Sequence, residues 1–585
     1  MRQSYRPSTF TMDMFIRQYR PALISALVFS VADMADALVV GNRMGSMGLA
    51  AIAFSLPVFM FFNLIMHSLG LGGSIIFSNK MTEGKEKEAT SVFQGVFITL
   101  LFLGVIVAVL GNVFLDNILL VLGATKDNPE LFRASGLYLR FVLTATPMFF
   151  FSYSMAYFLR NDDLEKAASI CSTIGSIIDF SLNILYVLVL NMGVTGAGLA
   201  TMTGVTITSL IQAYFILKSK RHLKFTPFNP SLKDIPSCFK IGAASNVSYI
   251  YSFIFIWLGN NAMMRLAGEE GVAVFDVIQN MNYLVIYLFG AIAMAAQPIL
   301  STCESECNYT ECDKLEATAK LFALVTSCIL ILLFNLAPSL ILGLFGITQE
   351  SAVLYGTLAL KIFSLNVLFA GLNIILSNYY TSRNIPFPAF LLATLRGFAI
   401  LLPVMVVCIM LGKDAFWLTY PVTEILSLII ISVYIRFFMK KTRRLDRARI
   451  YTASIGNDLE EVGKAVAEIE EFCERWEGTP KQMYYVQMTV EEMCSAIINH
   501  GFKKTPNRVG RIQLTLVAME DNEFSLHIRD NARTFNPFDM SQKALSEMEE
   551  TDSDFNALGM EVIKKKANIF YYRRYQGFNT MVVMI

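Results

Sequence analysis

The chain has 585 residues, 54% of them hydrophobic and only 16% charged, with a net charge of +1 and a mean hydropathy of +0.50. Soluble enzymes carry about 25% charged residues and disordered chains lack apolar ones, so neither class fits. No strongly basic domain stands out, which excludes nucleic acid as a partner recognised by charge. The nine cysteines are irregularly spaced and make no disulfide framework. Met1 to Arg20 is basic and polar, without the apolar core of a cleavable signal. The 12% aromatic content suits the interfacial belts of a protein whose partner is the lipid bilayer.

From about Pro21 to Phe438, apolar stretches of membrane-spanning length recur, as in Ala22–Val40, Val92–Phe114, Leu321–Leu340 and Ala389–Leu411. A span needs about 20 residues to cross the hydrocarbon, so the region holds roughly twelve helices. Gly48-Leu49-Ala50-Ala51-Ile52 and Glu88-Ala89-Thr90 are echoed by Gly271-Val272-Ala273-Val274 and Glu316-Ala317-Thr318, an offset of 223 to 228 residues. The spacing predicts an all-α polytopic membrane protein of two six-helix lobes, 1–217 and 241–440, joined by a basic loop, 218–240. Lobes of even span number share one orientation and enclose a path between them. Lys and Arg alternate between loop sets. Arg17, Arg20, Lys80, Lys85, Lys87, Lys218–Lys240 and Lys440–Arg449 lie on one side, with little beyond Arg43, Lys126, Arg133, Arg265 and Lys413 on the other. Both termini are therefore expected in the cytoplasm of a bacterial-type cell membrane.

Ionisable residues inside apolar spans are costly and normally face a cavity. The first span holds Asp33 and Asp36; the fifth holds Asp179, with Asn183 one turn on; the second half offers Asp276, Lys361, Arg396 and Glu424. A carboxylate that alternates between wet and dry surroundings can exchange a proton or Na+. His67 is expected to be a packing residue rather than a proton relay.

Ala35-Asp36-Ala37-Leu38-Val39-Val40-Gly41, Gly45 and Ala50-Ala51-Ile52 resemble the first-helix signature of the multidrug and toxic compound extrusion (MATE) transporters. Ile178-Asp179 and Gly193–Thr201 resemble that family's fifth and sixth helices; Arg396–Pro403 and Pro421–Glu424 resemble its last two. The resemblance implies alternating access driven by H+ or Na+, with no required cofactor, and a cation site at Asp36 and Asp179. One departure is Gly175, where the family often has Asn; Asn183 is the substitute at hand.

Beyond a basic linker, 441–450, residues 451–585 turn polar and mixed in pattern. Ala453–Trp476 and Gln482–His500 are predicted helices, Ile512–Ala518 and Phe524–Ile528 a hairpin around Glu520-Asp521-Asn522. Leu558–Ala567 is a third helix, before a pair of strands, Ile569–Tyr575 and Thr580–Ile585. Helices on one antiparallel sheet make an α+β sandwich. Val490–Cys494 with Ile497–Gly501 resembles the N-box helix of the histidine-kinase-like (GHKL) ATPase fold, of the small anti-sigma-factor serine kinase type. The family's base matches Glu492, its adenine contact Asp530, and its Gly-Leu-Gly box Ala557-Leu558-Gly559. Its Mg2+-holding Asn is Ala496, and Ala532 and Ala557 replace glycines. Hard Mg2+ takes oxygen ligands, which alanine lacks. ATP and Mg2+ are therefore not expected to turn over there, and the domain is expected to bind a cytoplasmic regulatory protein. Cys303-x3-Cys307-x4-Cys312 is too loosely spaced for a matched zinc set, so no metal is assigned. No Gly-x4-Gly-Lys-Ser/Thr phosphate loop occurs in the chain.

The expectation is an antiporter exporting small amphipathic, cationic compounds, with a non-catalytic tail. Two other readings stay open: a membrane-anchored sensor whose tail binds a signalling partner, and a lipid-linked flippase of the same superfamily.

Overall fold

A computed structural model describes residues 9–82, 85–162, 164–218, 223–225, 227–383, 385–438, 445–502, 510–519, 523–532, 562–563, 565–575 and 578–585. The membrane region is helical throughout. The first half runs α1 (Thr9–Asp33), α2 (Ala35–Ala53), α3 (Leu56–Thr82), α4 (Glu86–Val113), α5 (Leu115–Leu122), α6 (Pro129–Thr144), α7 (Thr146–Asn161), α8 (Glu165–Asn183) and α9 (Gly193–Lys218). The second runs α10 (Ile235–Asn246), α11 (Ser248–Ser305), α12 (Tyr309–Leu336), α13 (Pro338–Leu344), α14 (Glu350–Ser382), α15 (Pro386–Thr394), α16 (Leu401–Leu411) and α17 (Thr419–Val433).

Among the described residues, ten helices are long and apolar enough to cross a membrane, and α6 with α7, bent by 53°, adds an eleventh span. The 58 residues of α11 would reach about 87 Å if straight, nearly three bilayer cores. They are divided at Gly268, where φ is +65° and ψ is −153°. Gly45 has the matching pair, +65° and −147°, 223 residues earlier. Only glycine adopts this backbone without strain, so each reversal is written into the sequence. Counting the arms on either side of Gly268 separately gives twelve spans, six per half. The halves also match in their short helices, α5 and α13, and in π-helical turns at Ile184–Val189 and Leu395–Ala399.

The first span begins earlier than its apolar content suggests. Hydropathy starts it near Ala22, whereas α1 is helical from Thr9 and carries Arg17 and Arg20 inside it. The extra turns are held by packing: Phe15 and Tyr19 set their rings edge-on to Phe322 of α12, 5.1 and 5.3 Å between centroids. The first half of the span thus lies on the second lobe. The exchange is reciprocal, because α10 packs on α3 of the first lobe, where Gly72 and Gly242 bring the two backbones together. At the end away from the termini the halves are sealed by polar contacts. Asn128 Nδ2 donates to Glu269 Oε2 (2.9 Å), Trp257 Nε1 to the Val121 carbonyl (2.6 Å), and Asn42 Nδ2 to the Leu344 carbonyl (2.5 Å).

The tail is a five-stranded antiparallel sheet in the order β1-β2-β3-β5-β4, built from β1 (Ile450–Ile455), β2 (Ile512–Ala518), β3 (Phe524–Asp530), β4 (Ile569–Tyr575) and β5 (Phe578–Met584). Helices α18 (Leu459–Arg475) and α19 (Pro480–Ala496) cover one face. The helix expected over Ala453–Trp476 is therefore a strand followed by a helix. Ile450, Tyr451 and Thr452 suit a pleated strand, and Asp458 starts α18 by accepting from the Glu460 amide at 3.0 Å. The hairpin of β2 and β3 and the pair β4 and β5 form as expected. Glu520-Asp521-Asn522, the linker at 439–444 and half of Leu558–Ala567 lie outside the described residues, although 562–563 and 565–566 are helical.

Single cysteines introduced at Lys87 and Asn229, in a background without the native cysteines, should label only from the side of the termini. Cysteines at Asp127 and Lys413 should label only from the other side. Membrane-impermeant maleimide on intact cells and on inverted vesicles measures both, and the reverse pattern would turn the topology over.

Candidate cation-coupling site

Four helices of the first lobe meet at one carboxylate. The first span breaks at Met34, between α1 and α2, and Asp36 follows in the first turn of α2. Its Oδ2 accepts from Tyr138 Oη of α6 (2.8 Å) and Thr201 Oγ1 of α9 (3.1 Å). Its Oδ1 accepts from Asn183 Nδ2 at the end of α8 (2.7 Å). All three donors are neutral. Asn183 also donates to the Asp179 carbonyl (3.2 Å), which ties the second acid to the first. Asp179 Oδ1 is buried and has no hydrogen-bond partner among the described residues. There, neither acid is paired with Lys, Arg or His.

Gly175 sits where α8 lies against α9: a Cβ there would meet the Thr208 side chain. Asn183, from the opposite end of α8, is the amide that reaches Asp36. Asp33, grouped with these residues by sequence, is elsewhere. It lies before the break, is exposed, and accepts from Tyr287 Oη of α11, in the second lobe. Tyr138 and Thr201 were not singled out by sequence reasoning. Thr201 closes a motif quoted for its glycines, and nothing distinguishes Tyr138 from an interfacial tyrosine.

In the second lobe one acid is paired and another is not. Arg396 binds Glu424 with Nε and a terminal nitrogen, at 2.6–2.8 Å, and Asn373 Nδ2 donates to Glu424 Oε2 at 2.6 Å. The pair borders a 310 Å³ cavity also lined by Tyr251, Gln279, Tyr283, Asn366 and Tyr420. Asp276 is fully buried with Asn280 as donor (3.2 Å), and Lys361 is exposed on α14. His67 is a packed ring: it hydrogen-bonds Tyr157 Oη (3.0 Å) and stacks on Tyr249.

In the tail, Glu492 is half-buried and its Oε2 has no partner among the described residues. Burial, and then Glu491, raise its pKa above the ordinary carboxylate value. Ala496 is buried in the apolar core beside Cys494 and Met493. Asp530 Oδ1 accepts from the Ala532 amide and from Asn579 Nδ2, both at 2.8 Å. Gly559 lies outside the described residues. An alanine methyl packed into the core offers Mg2+ no ligand, so these residues do not fit a metal–nucleotide complex.

Residues 21–185 match the MatE family model, and residues 455–585 match the histidine kinase-like ATPase domain. The chain resembles the MATE transporters, with a histidine kinase-like ATPase domain at its end. The probable multidrug resistance protein YoeA of Bacillus subtilis (strain 168) is 25% identical over 440 residues, covering 72% of this chain and 92% of that protein. An inward-facing multidrug resistance MATE transporter shares the fold at TM-score 0.61 and 20% identity, over 70% of this chain and 96% of its own. The MATE multidrug transporter DinF-BH, solved in complex with R6G, does so at 0.58 and 23%, over 73% and 97%. The membrane region thus shares the MATE fold, and the tail matches the histidine kinase-like ATPase domain.

The Arg396–Glu424 pair gives a stability test. Glu424→Leu should destabilise the protein by about 1–3 kcal/mol, because it leaves a half-buried guanidinium without its partner. The double variant Arg396→Leu/Glu424→Leu should melt close to wild type. Thermal unfolding of the purified protein in detergent reads both.

Proposed function

We propose that the chain is a secondary transporter that exports small amphipathic organic compounds, cationic ones included, by alternating access coupled to H+ or Na+. The observation that carries this reading is the Asp36 carboxylate, held in an apolar lobe by three neutral donors and no cation. A buried charge without a counter-charge is costly, so such a carboxylate is met by a proton or a bound cation. Asp179, with its open oxygen one turn from Asn183, completes a two-carboxylate site in which a second ligand can be gained or lost. The multidrug resistance named for YoeA and the R6G complex of DinF-BH support the substrate class. Asp36 and Asp179 are the coupling residues, Asn183 positions them, and Asp33 belongs to the cleft between the lobes. We place the protein in the plasma membrane with both termini inside, on the alternation of Lys and Arg.

The tail is regulatory in this proposal and has no turnover of its own. Glu492 survives as a potential base, but the neighbouring metal position is the buried Ala496.

Asp36→Asn and Asp179→Asn should insert and fold like wild type, since the amide is nearly isosteric and cheaper to bury. Both should lose export by at least about tenfold, because an amide neither titrates nor holds a cation as a carboxylate does. Rhodamine-type dye efflux from proteoliposomes, under a proton gradient and separately under a Na+ gradient, is the measurement. Wild-type efflux at matched reconstitution would dismiss both assignments.

The purified full-length protein should hydrolyse Mg2+-ATP no faster than its Glu492→Gln variant. A phosphate-release assay that finds turnover lost in Glu492→Gln would make the tail a working enzyme.

A further inference from the structure

An antiparallel sheet with helices on one face normally leaves its other face to water, with polar residues alternating outward. The tail sheet has that alternation but not the water. Ile512, Leu514, Leu516, Leu526 and Ile528 point to α18 and α19. Their alternates Gln513, Thr515, Val517, Ser525 and Arg529 belong to no core cluster of the tail, yet all are buried, Thr515 to 1% and Arg529 to 2% exposure. The membrane helices cover them. Arg529 forms an ion pair with Glu306 in the turn between α11 and α12, where Glu306 is 5% exposed. His527 lies against the same carboxylate at 3.7 Å. Asn308, which caps α12, donates to Thr515 Oγ1 at 3.4 Å, and Arg447 of the linker pairs with Asp313 at 2.8 Å. The same face also reaches α1: Gln513 donates to Thr11 Oγ1 at 3.5 Å, and Arg511 stands 3.9 Å from Asp13.

We propose that the dry face of the tail sheet is a latch that fastens the first half of α1 to the second lobe and so stabilises the arrangement in which the opposite end is sealed. The contacts fall on two separate elements, the start of α1 and the α11–α12 turn. Beyond Met34 the same span belongs to the first lobe through Asp36. Any rotation of one lobe against the other must therefore bend the span at Met34 or pull α1 from α12, and the tail opposes the second. This inference rests on the alternating-access reading for its purpose, but its test needs no substrate.

Hydrogen–deuterium exchange of the full-length protein in nanodiscs provides that test. Glu306→Gln, a change made outside the tail, should speed exchange at residues 9–20 by about tenfold or more while the core-facing amides of β2 and β3 stay protected. It should also speed exchange at the seal, residues 121–128 and 257–261. Arg529→Met should do the same while the core-facing amides of β2 and β3 stay protected. Glu306→Met/Arg529→Met, which leaves no charge buried, should return both regions towards wild type. Unchanged exchange at residues 9–20 in Glu306→Gln would overturn the dock. Faster exchange there with an unaltered seal would overturn the latch. Either result would leave dye efflux, and the transporter reading, to be judged separately.

Discussion

The first span serves two lobes, and much of the architecture depends on that division. Thr9–Asp33 packs on the second lobe through Phe15 and Tyr19, whereas Asp36 is bonded into the first through Tyr138, Asn183 and Thr201. The break at Met34 lets one stretch of chain do both, and it places Asp33 and Asp36, three residues apart, on different sides of the boundary between lobes. The exchange of α10 onto α3 repeats the device in the second half, so each lobe is built partly from the other's leading helix.

Acids inside the helical region meet two kinds of surroundings. Glu424 is neutralised by Arg396, and Asn373 saturates what the guanidinium leaves. Such a pair fixes geometry and has no need of a ligand. Asp36 in the first lobe and Asp276 in the second have neutral donors but no counter-charge among the described residues, and Asp179 has no donor on Oδ1. What faces each carboxylate therefore distinguishes these acids more sharply than the residue type does.

The sequence made the spans legible because hydrocarbon thickness sets a length that apolar runs must meet, and it made Asp36 and Asp179 legible because acids are rare in such runs. The motifs at Gly48 and Gly271 showed as a repeat, but the reversals at Gly45 and Gly268, three residues before each, did not. Tyr138 and Thr201 were hidden, since tyrosine and threonine are ordinary in membrane helices and their partner is distant in the chain. The start of α1 and strand β1 were misread for a local reason: polar residues around Arg17, and a short β-favouring run ahead of a strong helix, are resolved only by tertiary packing. The dock was invisible for a different reason. Gln513, Thr515, His527 and Arg529 alternate with apolar residues as a solvated face would, and periodicity says which residues share a side but not what lies against it.

The contact between Thr11 and Gln513 closes a loop of about five hundred residues, and this has a consequence for biogenesis. At ribosomal rates of 5–20 residues per second, the opening turns of α1 leave the ribosome roughly 25–100 s before the strands that will cover them. During that interval Asp13 and Thr11 are held at the membrane surface by α1 alone, and the nascent chain has inserted all its other spans before the tail exists. The cover over the start of α1 is thus added only after the spans are made, so a ribosome that stalls ahead of β2 would release a bundle that is inserted and threaded but lacks the sheet that lies against Thr11.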